Sequence, residues 1–203
     1  MDEMGLVPIQ PRSFRPRTTN SRHTLGYNPN RLLTAPPPDN INRIWVADIT
    51  YIPMKTGKFL YLALIMDLFS RRIVGWKLDD NMSESLVLGA LRAAIANRQP
   101  SPGLIHHSDR GGQYAGGEYR QVLARSQMSQ SMSRPNDCFD NAFMESCFGT
   151  IKAELEMEPY DNLPAACRDL IKYIRYYNIH RRHSSIAYLS PAEFERQHTE
   201  RRK

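Results

Sequence analysis

Between residues 44 and 53 the chain reads IWVADITYIP, an apolar and β-branched run in which Asp48 and Thr50 are the polar exceptions. Such a run, followed by a Thr56-Gly57-Lys58 turn, predicts a buried strand. Residues 59–68 (FLYLALIMDL) and 71–78 (RRIVGWKL) predict two more. Connections this short favour an antiparallel meander. From 83 to 98 the period lengthens, and Leu86, Leu88, Leu91, Ala94 and Ile95 fall mostly on one side of a helix. Ser83 is its candidate N-cap, and Pro100 and Pro102 close it. A strand at 104–108, a helix at 117–126 and a fifth strand at 128–132 follow. Helices at 140–156, 164–178 and 191–198 complete the pattern. Three strands, a helix, a strand, a helix, a strand and then helices make a mixed α/β layered fold. The strand–helix–strand link should lay the fourth strand parallel to an earlier one.

The first 40 residues behave differently. They are rich in Pro, Arg, Asn and Thr and end in Ala35-Pro36-Pro37-Pro38-Asp39. Three consecutive prolines fit neither a helix interior nor a central strand, so an extended arm or linker is expected. Two hundred and three residues suffice for one well-buried core. No run of about 18 apolar residues predicts a membrane span, and MDEMGLVPIQPRSF lacks a signal-peptide pattern. Cys138, Cys147 and Cys167 form no CxxC pair, which argues against a disulfide framework and a zinc site and for a reducing cytoplasmic setting.

The net charge of +6 raises the odds of a polyanionic partner, and its placement sharpens them. Residues 12–43 carry Arg12, Arg15, Arg17, Arg22, Arg31 and Arg43 against Asp39 alone. Arg175, His180, Arg181, Arg182, His183, Arg196, Arg201, Arg202 and Lys203 crowd the other end. Solvated surface is one reading. Phosphate contact, with binding that weakens steeply in salt, is the other.

Three acids stand out by position. Asp48 interrupts a buried strand, where a carboxylate is expensive unless paired or metal-bound; the alternative is a wet face of the strand. Asp109 follows the fourth strand inside HSDRGGQY, and ligands gather beyond the carboxyl ends of strands in open α/β sheets. Gly111 and Gly112 would let the backbone bend and approach a substrate, although Ser-Asp-Arg-Gly-Gly is also ordinary turn chemistry. Glu145 shares a helix face with Phe148, Gly149 and Lys152 at i, i+3, i+4 and i+7. That face could serve metal and phosphate together, or be a plain solvent-exposed pair. Tyr173, Tyr176 and Tyr177 could stack on bases, but their spacing with Ile171 and Ile174 favours core packing.

Several blocks, in order, resemble the integrase-type transposases of the insertion-sequence-three group. They are Trp45 to Ile52 (WVADITYI), Tyr61-Leu62 through Asp67 to Trp76 (DLFSRRIVGW), His107 to Tyr114 (HSDRGGQY) and Ser133 to Ala142 (SRPNDCFDNA). Tyr177-Asn178, Arg181-Arg182-His183-Ser184 and Ser190-Pro191 close the similarity, which covers about residues 40–197. The resemblance implies a ribonuclease-H-like fold: a five-stranded mixed sheet flanked by helices, with an extended basic N-terminal arm. It divides the chain into an arm at 1–40, similar to the end of a helix-turn-helix-like region, a catalytic core at 41–198 and a basic tail at 199–203. It implies a catalytic, metal-binding triad at Asp48, Asp109 and Glu145, with two Mg²⁺ or Mn²⁺ ions. It suggests DNA contact at Lys152, with Arg110, Gln113, Arg134, Asn141, Arg181, Arg182 and His183 as further candidates. The implied activity is metal-dependent cleavage and transfer of DNA strands. The implied partners are transposon ends, a target duplex, further copies of the chain and an end-recognition protein from an upstream reading frame. A nuclease of the same fold that never joins, and a catalytically dead DNA-binding remnant, are the competing readings.

Overall fold

The computed structural model describes residues 25–134, 141–155 and 158–201. Five strands form one sheet: β1 (Ile44–Pro53), β2 (Phe59–Asp67), β3 (Ile73–Asp79), β4 (Ile105–Ser108) and β5 (Ser129–Met132). Their order is β3-β2-β1-β4-β5. β1, β2 and β3 pair antiparallel, while β4 pairs parallel with β1 and with β5. Helices α1 (Glu84–Arg98), α2 (Gly112–Ala115), α3 (Gly117–Arg125), α4 (Ala142–Glu154), α5 (Leu163–Ile179) and α6 (Pro191–Glu200) complete the element order. The arrangement is the ribonuclease-H-like one.

The unbroken hydrophobicity of β1 has a simple cause: the strand is buried on both faces. Ile44, Val46 and Ile52, with Leu62, Leu64 and Met66 of β2, pack against α4 and α5. Trp45, Ala47 and Ile49, with Ala63 and Ile65, pack against α1 and α3. On that second face α1 lies close enough to β3 that a Cβ at Gly75 would sit 2.3 Å from the Ala90 carbonyl oxygen. Any side chain there would force the helix off the sheet. Glu84, in the first turn of α1, accepts a hydrogen bond from the Tyr119 N–H at 2.9 Å and so ties α3 to α1.

Three details depart from the sequence pattern. β3 begins at Ile73, two residues later than expected, because Arg71 takes a left-handed conformation (φ 63°) in the turn. There the Arg71 N–H donates to the Asp67 carbonyl at 2.9 Å, and the Asp67 N–H to the Arg72 carbonyl at 2.8 Å. A four-residue helix, α2, occupies part of the segment read as turn chemistry; it is too short to carry a hydrophobic period. The described part of the arm is docked. The Arg31 N–H donates to Ser131 Oγ at 2.9 Å, Asn28 Nδ2 to Gln130 Oε1 at 2.7 Å, and the Met132 N–H to the Pro29 carbonyl at 3.4 Å. The arm therefore covers the outer edge of β5, which would otherwise expose unpaired backbone groups. Residues 1–24, the arm's remainder, lie outside the described residues. Tyr173 and Tyr177 are core residues as their spacing implied, while Tyr176 is exposed. No helix among the described residues is long and apolar enough to cross a membrane.

Candidate active site

Strand parity aims Asp48. It shares the face of β1 that carries Ile44, Val46 and Ile52, whose neighbours include Met144, Cys147, Phe148 and Ile151 of α4. Glu145 lies between two of those contact residues, in the first turn of the same helix. Register aims Asp109. Val46 pairs with His107 across the parallel β1–β4 ladder, so the same register carried on by two residues sets Asp48 beside Asp109. Adjacent strands lie about 4.8 Å apart. Three acids distant in sequence thus lie near the middle of β1 and the C-terminal end of β4, close enough for Asp109 and Glu145 both to act on Asp48.

Electrostatics agree with the geometry. Burial holds the Asp48 carboxyl well above the usual carboxylate range, with Asp109 and Glu145 pushing the same way. The Ile49 N–H, which donates to Asp48 Oδ1 at 2.7 Å, offsets this only in part. Asp109 Oδ1 is likewise turned back, onto the Gly111 N–H at 2.8 Å. Gly111 serves this contact by its size, since its φ is an ordinary −59° while a Cβ there would meet Asp109 Oδ1 at 3.0 Å. Glu145 is exposed.

Among the described residues no three His, Cys, Asp or Glu side chains converge into a finished metal cluster. The donor chemistry nevertheless fits hard divalent cations, which take carboxylate oxygens and retain water. Like charges keep such acids apart until a cation shares them. Asn141, buried at the start of α4, adds a polar atom beside the acids. Its Nδ2 donates to the Ala47 carbonyl at 3.4 Å, and its Oδ1 has no partner among the described residues.

The other residues named as DNA contacts have varied surroundings. Lys152 Nζ lies 4.1 Å from the centre of the Tyr51 ring, so α4 and β1 hold the ammonium three residues along the strand from Asp48. Arg110 donates from Nε to the Ser133 carbonyl at 2.6 Å and covers the Tyr27 ring. Gln113 Nε2 donates to the Met82 carbonyl at 3.1 Å. Arg134 and Arg182 are exposed. Arg181 pairs with Glu154 at 2.7 Å and approaches the His183 ring. Burial, with Arg181 and Arg71 nearby, lowers the His183 pKa to about 4. His106 and His107 are core groups bonded to Tyr119 and to Ser131 and Ser133. Arg71 is the neighbour that the sequence did not single out. Its only local sign is an arginine pair in a tight strand connection.

A sheet in this order, with Asp109 just past β4 and beside Asp48 in the middle of β1, has the architecture of an integrase-type polynucleotidyl transferase core. Two family models, each described as an integrase core domain, match residues 38–138 and 126–191. The chain belongs to that family, in its insertion-sequence-three transposase branch. The insertion element IS600 uncharacterized 31 kDa protein of Shigella sonnei is 42% identical over 194 residues, covering 95% of this chain and 71% of that protein. The transposase for insertion sequence element IS904 of Lactococcus lactis is 42% identical over 157 residues, 76% of this chain and 62% of the relative. Transposase InsF for insertion sequence IS3fB of Escherichia coli is 39% identical over 158 residues, 77% and 54% respectively. The chain thus spans roughly half to seven-tenths of these relatives. Solved structures share the fold. The simian T-cell lymphotropic virus intasome structure matches at TM-score 0.63 and 16% identity, over 88% of this chain and 61% of that one. The HTLV-2 integrase catalytic core domain, solved with magnesium, matches at 0.59 and 14%, over 77% and 98%.

Proposed function

We propose that this chain is the catalytic core of a DNA transposase and that Asp48, Asp109 and Glu145 hold two Mg²⁺ or Mn²⁺ ions while DNA strands are cut and joined. One observation carries the reading: the desolvated Asp48 carboxyl has two acids as its charged neighbours. An arrangement that costs stability in the folded chain is a sign of function.

The bound cations would supply activation of the attacking oxygen and stabilisation of the departing one. The chain's own share is placement. Asp48, Asp109 and Glu145 would hold the ions through their carboxylate oxygens. The Gly111 N–H and Ile49 N–H fix the rotamers of the two aspartates, so little reorganisation is needed when substrate arrives. No protein nucleophile is required. Water would attack first, and the 3′-hydroxyl it exposes would attack a second phosphodiester. Lys152, held over Tyr51, is placed to meet a phosphate near the reacting end. DNA ends and a target duplex are the substrates on this reading. Two ends must be brought together, which calls for more than one copy of the chain, and the intasome likeness of the fold is in keeping with that.

The test is incubation of purified chain with a labelled duplex bearing the element's end, with Mg²⁺, Mn²⁺ or EDTA. Nicking that requires the cation, followed by joining to a second duplex, is expected. Cation-dependent nicking without joining would leave a plain nuclease instead.

A further inference from the structure

Behind α4, on the flank away from Glu145, lies a cavity of about 510 Å³. Ala142, Ser146 and Thr150, spaced by four along the helix, line one wall, whereas Glu145, Phe148, Gly149 and Lys152 occupy the other flank. The opposite wall comes from the β2–β3 turn and the segment after α5. It contributes Arg71, Arg181, Arg182 and His183, and no lining residue is acidic. Its size falls within the usual range for a small-ligand site, about 300–1,000 Å³.

Three features point to a phosphate-bearing ligand. First, Arg71 is largely desolvated and makes no ion pair with any described carboxylate; its guanidinium lies over the Phe143 ring at 4.6 Å. Arg182 likewise makes no ion pair with any described carboxylate. Second, two lining residues take left-handed backbone, Arg71 with φ 63° and Tyr188 with φ 56°, and Ala187, next to Tyr188 in the chain, does so too at 56°. The last two are held by Tyr188 N–H to the His183 carbonyl at 2.9 Å and His183 N–H to the Leu189 carbonyl at 3.1 Å. Strain of this kind persists where the surroundings enforce it, and it clusters at ligand sites. Third, the rim is aromatic and open. Tyr188 is 69% exposed and Phe143 39% exposed, although a folded chain usually buries such rings.

We propose that this cavity binds an unpaired nucleotide of the DNA, its phosphate among Arg71, Arg182 and the hydroxyls of Ser146 and Thr150, and its base stacked on Tyr188. The inference rests on the DNA-transposase reading and adds the location of a single-stranded segment, which would pass across α4, a helix diameter of about 10–12 Å from the acids. A site for duplex backbone alone would use the arginines without needing the exposed tyrosine, since stacking requires a splayed base.

The test measures binding of a labelled 12-nucleotide oligothymidylate and of a 12-base-pair duplex, in EDTA, across a salt series. Arg71→Gln with Arg182→Gln is expected to flatten the single-strand salt slope by about 1.4, at about 0.7 per lost contact. Tyr188→Ala should weaken the oligothymidylate by roughly 5- to 150-fold, and Tyr188→Phe should leave it unchanged. Arg182→Gln alone, at an exposed position, guards against misfolding at Arg71, and thermal melting checks all variants. Unchanged slopes and affinities overturn the proposal, as does a Tyr188→Ala loss that is equal for duplex and single strand. Asp48→Asn separates the two readings. It should abolish nicking and keep oligothymidylate binding. A wild-type chain that binds through the cavity but never nicks would sink the transposase reading while this one stands.

Discussion

Two regions of the molecule bury carboxylates, and burial raises Asp67 in one and Asp48 in the other; what differs is the charges around them. At the β2–β3 turn, Asp67 is fully buried yet accepts from the Asn42 N–H at 2.6 Å, the Phe69 N–H at 3.0 Å and the Ser70 N–H at 3.1 Å. Beside it Glu195 of α6 receives a bidentate Arg98 at 2.8 and 2.9 Å, Arg72 at 2.6 Å and Ser70 Oγ at 2.8 Å. Burial would raise the Glu195 pKa, but the two arginines and the serine more than offset it and hold it low. Three residues further along β1 from Trp45, which pairs with Asp67, Asp48 is raised, and Asp109 and Glu145 push it the same way as burial does. One cluster is closed by protein cations and locks α6 to α1 and the turn. At the other, burial and two further acids all raise the Asp48 carboxyl, and the proposed function would add cations from outside.

That contrast can be broken experimentally, most forcefully at the acids. Asp109→Asn should leave the fold intact and cut Mg²⁺-dependent nicking by about 10³-fold, if the lost interaction is worth about 4 kcal/mol in the transition state. A variant retaining more than a few per cent of the nicking rate would remove Asp109 from the site. At the satisfied cluster the loss should be of stability. Glu195→Ala leaves Arg98 and Arg72 without their carboxylate and should cost about 3–5 kcal/mol in urea unfolding. A cost under about 1 kcal/mol would mean the cluster does not fasten α6.

Asp48→Asn should do the reverse of Glu195→Ala and raise the melting temperature in EDTA at pH 7.5. The sign follows from linkage. The folded chain holds the Asp48 proton more tightly than the unfolded one, so stability falls as pH rises from the ordinary carboxylate value of 3.8 towards the raised one. The gain should vanish below pH 3.8 and should shrink when Mg²⁺ is added to both proteins. Equal melting temperatures at pH 7.5 would show that the three acids are not crowded in solution. The smallest effect is expected at Lys152, where Ala should reduce the duplex salt slope by about 0.9, one phosphate contact. An unchanged slope would place this ammonium off the DNA path.

Much of this comparison was legible in residue order alone. The run around Asp48 predicted a buried strand and the break in it marked the acid, while a wet face for that acid stayed open until the structure showed both faces covered. Asp109 was visible as a polar residue just past an apolar strand, and the spacing of Glu145 with Phe148 and Lys152 gave a helix face. Other features left no local trace. Helix α2 spans Gly112–Ala115, too few residues for a hydrophobic period. The pairing of Arg98 with Glu195 joins positions 97 residues apart, and neither has a neighbour that announces the other. Arg71 looked like the start of a strand because a left-handed turn residue is not distinguishable from an extended one by side-chain type. Gly111 invited a flexible-turn explanation, whereas its φ is ordinary and a Cβ there would instead crowd Gln113 Oε1 at 2.9 Å and Asp109 Oδ1 at 3.0 Å.

By itself the sequence determined the five strands, the longer helices and which acids stand in or beside apolar runs, because these follow from periods of 2 and 3.6 along the backbone. Only the tertiary structure decided which acids meet one another and which meet arginines. Charge compensation depends on distances across the sheet and between layers, and strand register and helix docking set those distances.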